Sequence, residues 1–528
     1  MDPMQNPIGH PVIVNGAGPV GLTMACELAR HGAPVRIFDK NTEPSPQSRA
    51  LAIFPRTLEV FSTIGMLDQV LAEGQPLRAI SIYGDSRRLA HMDFESIDSP
   101  YRFVISLPQS RTERILQARL EALGVQVERR MELTGIEQEP DSVRARYRRA
   151  DGSSETVEAA WVLGCDGAHS AARHLLGMTF QGAPYDEEFL LADVKVESDL
   201  PTSEAHLFTA SEGIFAYFPF RGGRGRLIAI QQPGTLHIGA EPTLEEIQEL
   251  VRRRCYHPMR VSDAVWSAWF RVSHRMVQHY RGGRVFLAGD AAHIHSPAGG
   301  QGMNTGIQDA FNLAWKLALV QRRIATSAIL ESYEAERMPV ARSVVNLTDR
   351  MTRAATAHNP AAQHLRDLLV PMLTGIPFVK EAMAERLAEV AIDYRGSAWV
   401  ENHGFGPVRA GDRAPDALLY DRAARVERRI FDLLKTPGFL LLAFEGYEPG
   451  RSAEGLLGGL PGAAYRITRP GQEDPPGSLE DRDCLARTAY GIAEDGQYIL
   501  IRPDGYIGYR GENAAALAAY LERLTGAP

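Results

Sequence analysis

Residues 11–39 read PVIVNGAGPVGLTMACELARHGAPVRIFD. Pro11 to Asn15 is a short apolar run of the kind that forms a buried parallel strand. It leads into Gly16-Ala17-Gly18-Pro19-Val20-Gly21, then into LTMACELARHG, whose apolar residues fall at helical spacing. A second strand, Pro34 to Phe38, ends at Asp39. Strand, G-x-G-x-x-G, helix, strand and acid, in that order, describe a dinucleotide-binding unit. Gly16 and Gly18 permit a tight turn and close approach of a pyrophosphate, and Gly21 lets the helix pack closely on the strand. The helix N-terminus presents N–H groups and a positive dipole end to the anion, and Asp39 is placed to hold the ribose hydroxyls. This unit alone does not choose between NAD and FAD.

Two later segments make that choice. Trp161 to Gly164 is a strand leading through Cys165 to Asp166-Gly167, with a helix bearing Arg173 beyond. Arg284-Val-Phe-Leu-Ala-Gly289-Asp290 is another apolar strand, followed by AAHIHSPAGGQGMNTG and a long helix. In that helix Ile307, Ala310, Phe311, Ala314 and Leu317 share one face. The Gly-rich loop (Gly299, Gly300, Gly302) feeding its N-terminus is a second anion site. Reduced flavin carries negative charge around N1 and O2, which such a dipole end stabilises. Asp290 is placed to accept hydrogen bonds from ribityl or ribose hydroxyls. An NAD dehydrogenase has no use for this second constellation, whereas an extended FAD does.

With 528 residues the chain is long enough for two or three domains. Apolar residues at 44% and charged residues at 23% exclude a disordered, collagen-like or disulfide-stapled chain. A formal charge of −8 argues against a nucleic-acid partner. The four cysteines, Cys26, Cys165, Cys255 and Cys484, show no CxxC and no metal-ligand spacing. The absence of a long apolar run and of a signal-like N-terminus gives the expectation of a cytoplasmic protein without a membrane span. Residues 45–75 carry helical patterning, and residues around 143–151 form a hairpin signal at Asp151-Gly152. Between 186 and 235, strand-like runs (FLLADVKV, GIFAYFPF, RLIAIQQ) alternate with turns and suggest an inserted antiparallel sheet. Helical patterning then dominates from Ile307 to about Tyr394, and the Gly/Pro-rich stretch from Gly404 to Pro415 marks a boundary.

Together, GAGPVG, GCDG and FLAGDAAHIHSPAGGQGMNTGIQDAFNLAWKLA resemble the class A FAD-dependent aromatic monooxygenases of the para-hydroxybenzoate hydroxylase fold. The RPDGYIGYR tail resembles the C-terminal thioredoxin-like domain of the phenol hydroxylase and pentachlorophenol 4-monooxygenase branch; lacking CxxC, it is expected to be redox-inert. The resemblance implies an α/β (α+β overall) architecture. It comprises a discontinuous Rossmann-like FAD-binding domain (1–185 and 270–345), an antiparallel-sheet substrate domain (186–269), a helical linker region (346–403) and a thioredoxin-like domain (404–528).

By the same resemblance Gly16, Gly18, Pro19 and Gly21 cradle the FAD pyrophosphate, with Asp39 and Lys40 at the adenosine ribose. Arg49 lies beside the FAD, Gln109 near the ribityl chain, and Val127 meets the adenine through its backbone. Asp166 belongs to a dual FAD and NAD(P)H motif, and Gly289 with Asp290 to the ribityl-binding one. Pro297, Gly300, Gly302, Met303 and Asn304 lie at the isoalloxazine. The implied reaction is single-component. NAD(P)H, a transient co-substrate, reduces FAD, and O2 then forms a C4a-hydroperoxide that hydroxylates a phenolic or other electron-rich aromatic, polyketides included.

Outside the motifs, Tyr217 is a candidate to polarise a phenol hydroxyl, His206 a candidate acid or base, and the backbone at Pro297 a candidate at the reacting edge. His293 and His295 have HxH spacing but no carboxylate or cysteine partner in the sequence, so no metal is expected. The resemblance also favours a homodimer. Three other readings stay open: a Baeyer–Villiger or epoxidising oxygenase on a polyketide, an FAD-dependent dehydrogenase without oxygen insertion, and a binding module docking through its tail. A chain ending near residue 404 that kept flavin but lost oligomerisation would give the tail an assembly role.

Overall fold

The structure is a computed structural model that describes residues 9–45, 50–84, 87–210, 213–231, 241–297, 299–355, 376–444, 454–472 and 477–526. Its first sheet has six strands. Val12–Asn15 pairs in parallel with Val35–Asp39 on one side and Trp161–Gly164 on the other, and Val285–Leu287 extends the parallel run. Val127–Arg129 forms one edge, and the short Arg281–Gly282 strand forms the other. The three central strands drawn from distant parts of the chain are almost fully buried, as strands covered on both faces must be. The helices Pro19–Arg30 and Gly302–Gln321 pack against each other. A Cβ at Gly306 would stand 2.7 Å from a Val20 methyl and 3.1 Å from the Gly289 Cα, so only a glycine allows this approach. Strands Met131–Gln138, Val143–Arg149 and Ser154–Ala159 form a small antiparallel sheet whose buried Val143, Ala145 and Tyr147 alternate with exposed arginines.

The second large sheet has eight strands and recruits more of the chain than the 186–235 alternation indicates. Phe180–Ser198 and Met259–Val277 are long antiparallel partners, with Arg224–Gln231, Gly213–Pro219 and Glu204–Ala210 following in order. The hairpin Ala79–Gly84 and Arg87–Asp93 then joins through a parallel pairing of Ala79–Gly84 with Glu204–Ala210. One face packs Tyr83, Phe208, Tyr217 and Leu227 beneath the helix Leu244–Arg254. The other face, carrying Ile82, Leu191, Leu207, Phe218 and Ile228, lines an internal cleft.

The C-terminal sheet also has eight strands. Its centre is Gly462–Thr468, Phe439–Phe444, Gln497–Ile501 and Ile507–Gly511, the first pair parallel and the rest antiparallel, with helix Ala514–Thr525 behind. This is thioredoxin-like topology, and its cysteine, Cys484, is unpaired. One face of the sheet (Leu441, Leu500), with Leu517 and Leu521 of the helix behind it, belongs to the same apolar core as the first sheet, whereas the other face has a core of its own. Trp315 of the Gly302–Gln321 helix meets Phe439 edge-on at 5.6 Å. Across that contact Arg502 donates to both oxygens of Glu336 at 2.8 Å and to Asp504 at 2.5 and 3.1 Å. Lys316 Nζ reaches the same Glu336 at 2.7 Å. Among the described residues no helix is long and apolar enough to cross a membrane.

Candidate active site

A cleft of about 1240 Å³ runs from the Gly16–Pro19 turn, past the ends of the parallel strands, to the inner face of the eight-stranded sheet. At its first end the chain is shaped by steric necessity. Gly16 has φ +105°, and a Cβ there would run into the Cys165 carbonyl; a Cβ on Gly21 would run into the Gly16 carbonyl. Gly18 differs, because a Cβ there meets no atom of the described residues within 4 Å, which leaves room for a ligand. Asp39 accepts from the Ala17 N–H and the Asn41 N–H, both at 2.8 Å, so it braces the turn while facing the cleft beside Lys40. Gln109 accepts from the Ala50 N–H at 3.1 Å and donates to Glu113 at 2.8 Å. Burial pushes the Glu113 carboxyl up to about 7.

Midway, Asp166 accepts from the Asn15 amide at 2.8 Å and from the Ala172 N–H at 3.2 Å, while its Oδ1 has no partner among the described residues. Arg173 donates to the carbonyls of Ala168 (2.8 Å) and Ala291 (3.0 Å), locking the Asp166 turn to the Asp290 turn. Asp290, Pro297, Gly300, Gly302 and Met303 line the same stretch, where the N-terminus of Gly302–Gln321 opens. Beyond them the walls turn apolar: Phe54, Phe94, Leu207, Phe218 and Ile228 enclose the far end, closed by Met383 and Leu387 of helix Pro377–Leu387.

Several expected site residues stand elsewhere. Tyr217 and His206 are cross-strand partners on the opposite face of the sheet, their rings stacked at 5.9 Å and both buried. His206 Nε2 is bonded to the Pro201 carbonyl at 2.9 Å, and burial pushes the Tyr217 phenol up to about 12. Neither reaches the cleft: side chains alternate along a strand, and it is the next residue, Phe218, that faces it. Tyr217→Phe is therefore expected to leave substrate-dependent NAD(P)H oxidation unchanged. Phe218→Ala, removing apolar wall, is expected to raise the aromatic substrate's KM about ten- to hundredfold in the same assay.

Asn304 also stands behind the cleft. It accepts from the Phe54 N–H at 3.0 Å and donates to the carbonyls of Ala52 (2.8 Å) and Gly300 (3.1 Å), pinning two lining loops together. Val127 pairs with Ile37 in the edge strand, and Arg129 is the residue that reaches the cleft. Gly21 and Gly289 lie beneath the lining; Gly289 (φ +58°) packs on Val20 and donates its N–H to Asp309 at 3.1 Å. Arg49 falls outside the described residues. His293 bonds Asp309 at 2.7 Å, and Asp309 is also held by Arg337 at 2.7 Å.

Glu389, which no sequence signal singled out, sits under the Gly302–Gln321 helix with φ 59°. It accepts from Thr305 at 3.3 Å and Gln308 at 2.5 Å, and burial pushes its carboxyl up to about 8. An unfolded glutamate ionises near 4.3, so the folded protein keeps a proton that the unfolded chain loses. This contribution to stability is complete below pH 4.3 and is lost as pH rises to about 8. The melting temperature is expected to fall between pH 5 and 8 in the wild type, and less so in Glu389→Gln, by differential scanning fluorimetry.

Residues 10–348 match the family described as FAD binding domain, and residues 408–528 match that described as aromatic-ring hydroxylase, C-terminal. The chain is 36% identical to 6-methylpretetramide 4-monooxygenase of Streptomyces rimosus, over 98% of this chain and 94% of that one. It is 31% identical to pentachlorophenol 4-monooxygenase of Sphingobium chlorophenolicum, over 94% and 93%. The crystal structure of aklavinone-11 hydroxylase with FAD and aklavinone superposes with a TM-score of 0.78 at 25% identity, covering 99% of this chain and 100% of that one. The chain belongs to the FAD-dependent aromatic-ring hydroxylases, and its fold and cleft are those of a flavoprotein monooxygenase. The residues fit FAD: the space at Gly18, the Asp39 carboxylate, the unpartnered Asp166 oxygen and two helix N-termini lie along one cleft.

Proposed function

We propose that this enzyme uses NAD(P)H and O2 to hydroxylate a large phenolic aromatic of the polyketide type. The observation that carries this reading is the continuity of the cleft, in which an apolar chamber opens directly onto the flavin cradle without an intervening wall. Gly16, Gly18, Pro19 and Gly21 form the pyrophosphate turn, with Asp39, Lys40 and Gln109 at the adenosine and ribityl side. Asp166 and Asp290 face the middle of the cofactor, and Pro297, Gly300, Gly302 and Met303 face its ring. Bound there, FAD supplies hydride acceptance and activation of O2. The chain orients the aromatic ring between Phe54, Phe94 and Phe218 and keeps water out, which protects the oxidant from decay. We assign the cofactor to segments 1–185 and 270–345 and the aromatic to 186–269, supplemented by the 79–93 hairpin.

The relatives' names support the size of the substrate, since 6-methylpretetramide 4-monooxygenase and the aklavinone complex concern polycyclic compounds. A homodimer and a cytoplasmic setting belong to the same proposal; four unpaired cysteines and a nicotinamide reductant fit a reducing compartment. Turnover under ¹⁸O2 tests the reaction: a ring hydroxyl carrying one ¹⁸O atom is expected. NAD(P)H consumed to give only hydrogen peroxide with every polycyclic phenol, or a ring-expanded ester product, would overturn it.

A further inference from the structure

His295 lines the cleft and is only 8% exposed. Its Nδ1 lies 2.9 Å from the Ser296 carbonyl, so that nitrogen carries the proton and donates it. The other ring nitrogen, Nε2, is then a bare lone pair, and among the described residues it has no hydrogen-bond partner. It stands 3.5 Å from where a Cβ on Gly302 would lie, at the first turn of the Gly302–Gln321 helix. A buried acceptor beside the positive end of a 20-residue helix is an unusual arrangement. A buried acceptor without a donor is costly, and the helix N-terminus beside it favours an anion.

We propose that His295 is the proton acceptor of this cleft: its Nε2 takes a proton from water when a delocalised oxyanion arrives at the helix N-terminus, and releases it when that charge leaves. The bond formed is Nε2–H, the bond broken is an O–H of a solvent water, and the bulk buffer returns a proton to the hydroxide left behind, so the protein takes up one proton net. The imidazole is neither oxidised nor reduced; where the oxyanion is the reduced cofactor, its electrons come from NAD(P)H in the proposed reaction. Protonation converts the lone pair from an acceptor that repels an anion into a donor that binds it, and it adds to the helix dipole. Burial pushes the imidazole down to about 4, so it is neutral at pH 7 until an opposite charge comes within a few ångströms.

The surrounding charges leave it that freedom. His293, two residues earlier on the short strand His293–Ile294, opposes protonation of His295. Asp309, on the helix, is ion-paired with Arg337 and hydrogen-bonded to His293. Arg275, from the strand paired at Ile294, adds positive charge, and Asp290 faces the same cleft. The oxyanion has two possible sources, the reduced cofactor or a phenolate substrate.

The proposal rests on the FAD reading of the cleft and is tested on holoenzyme without nicotinamide, so a failure of turnover does not affect it. In one arm the holoenzyme is photoreduced under nitrogen in weak buffer containing a pH-indicator dye; in the other, 4-nitrophenol is added to the oxidised holoenzyme. Wild type is expected to take up about one more proton per flavin than His295→Asn, whose amide keeps the bond to Ser296, in at least one arm. Excess uptake on photoreduction assigns the charge to the cofactor, and excess uptake with 4-nitrophenol assigns it to the phenolate. Equal uptake by both proteins in both arms overturns the proposal. Should His295→Asn lose its flavin, ¹⁵N-histidine NMR of the wild type decides instead. A lone-pair ring nitrogen signal that vanishes on photoreduction or on adding 4-nitrophenol supports the proposal, and one unchanged in both overturns it.

Discussion

Arg502→Leu is expected to destabilise the protein by about 3–5 kcal/mol, the cost of leaving a buried ion without its partner. Arg502 is fully buried and supplies two of the hydrogen bonds that satisfy Glu336, the others coming from Lys316, Asn312 and Ser397. Burial alone would keep Glu336 protonated, yet Arg502 and Lys316 outweigh it and hold the carboxyl well below the usual range. Removing the guanidinium leaves that carboxylate and Asp504 with one ammonium between them. Glu336 belongs to helix Glu331–Ala355, and Lys316 to the helix whose first turn borders the flavin cleft. Loss of flavin on purification is therefore expected along with the fall in melting temperature. Adding Glu336→Gln to Arg502→Leu should restore part of the loss, since the two residues share one network; strictly additive losses would mean that the network is not the unit of stability. The same geometry bears on a chain ending near residue 404. It would expose the Trp315 face and strand Glu336, so it is expected to lose flavin rather than merely to lose assembly contacts.

Gly21→Ala has the second large effect. The added methyl would occupy the space of the Gly16 carbonyl, backbone that cannot swing aside, so the helix must shift off the turn. Overpacking of this kind costs about 1–3 kcal/mol, roughly ten- to hundredfold in FAD affinity if the strain falls on the cradle. Gly18→Ala is the control, because its methyl meets no atom of the described residues. It is expected to leave the apoprotein's melting temperature unchanged while still weakening FAD, measured by recovery of flavin fluorescence on dilution. Equal FAD affinity in Gly18→Ala and wild type would mean that the ligand does not approach that turn.

The parts of the fold set by local chemistry are legible in the sequence. The turn at Gly16, the acid at Asp39 and the loop from Gly299 to Gly302 depend on glycine geometry and helix ends, which a linear pattern records. The sheet was legible only in outline. Alternation in GIFAYFPF establishes a strand but does not say which parity faces a ligand, and the choice between Tyr217 and Phe218 depends on the helix Leu244–Arg254 covering one side. The parallel pairing of Ala79–Gly84 with Glu204–Ala210 joins segments far apart in sequence, and no local signal marks it. The family resemblance puts Asn304 at the isoalloxazine, whereas its amide holds Ala52, Phe54 and Gly300 in place. Glu113 had a signal, standing one helical turn after Gln109. Arg502, Glu336 and Lys316 had none, because buried ions are recognisable only once their partners converge.

Anaerobic stopped-flow reduction of the holoenzyme by NADPH, with and without a panel of simple and polycyclic phenols, tests most directly whether the aromatic chamber and the flavin cradle form one working cleft. A large acceleration of flavin reduction by polycyclic phenols, weakened in Phe218→Ala and preserved in Tyr217→Phe, is the predicted result. Reduction at one rate with every compound, or no reduction with FAD bound, would contradict it.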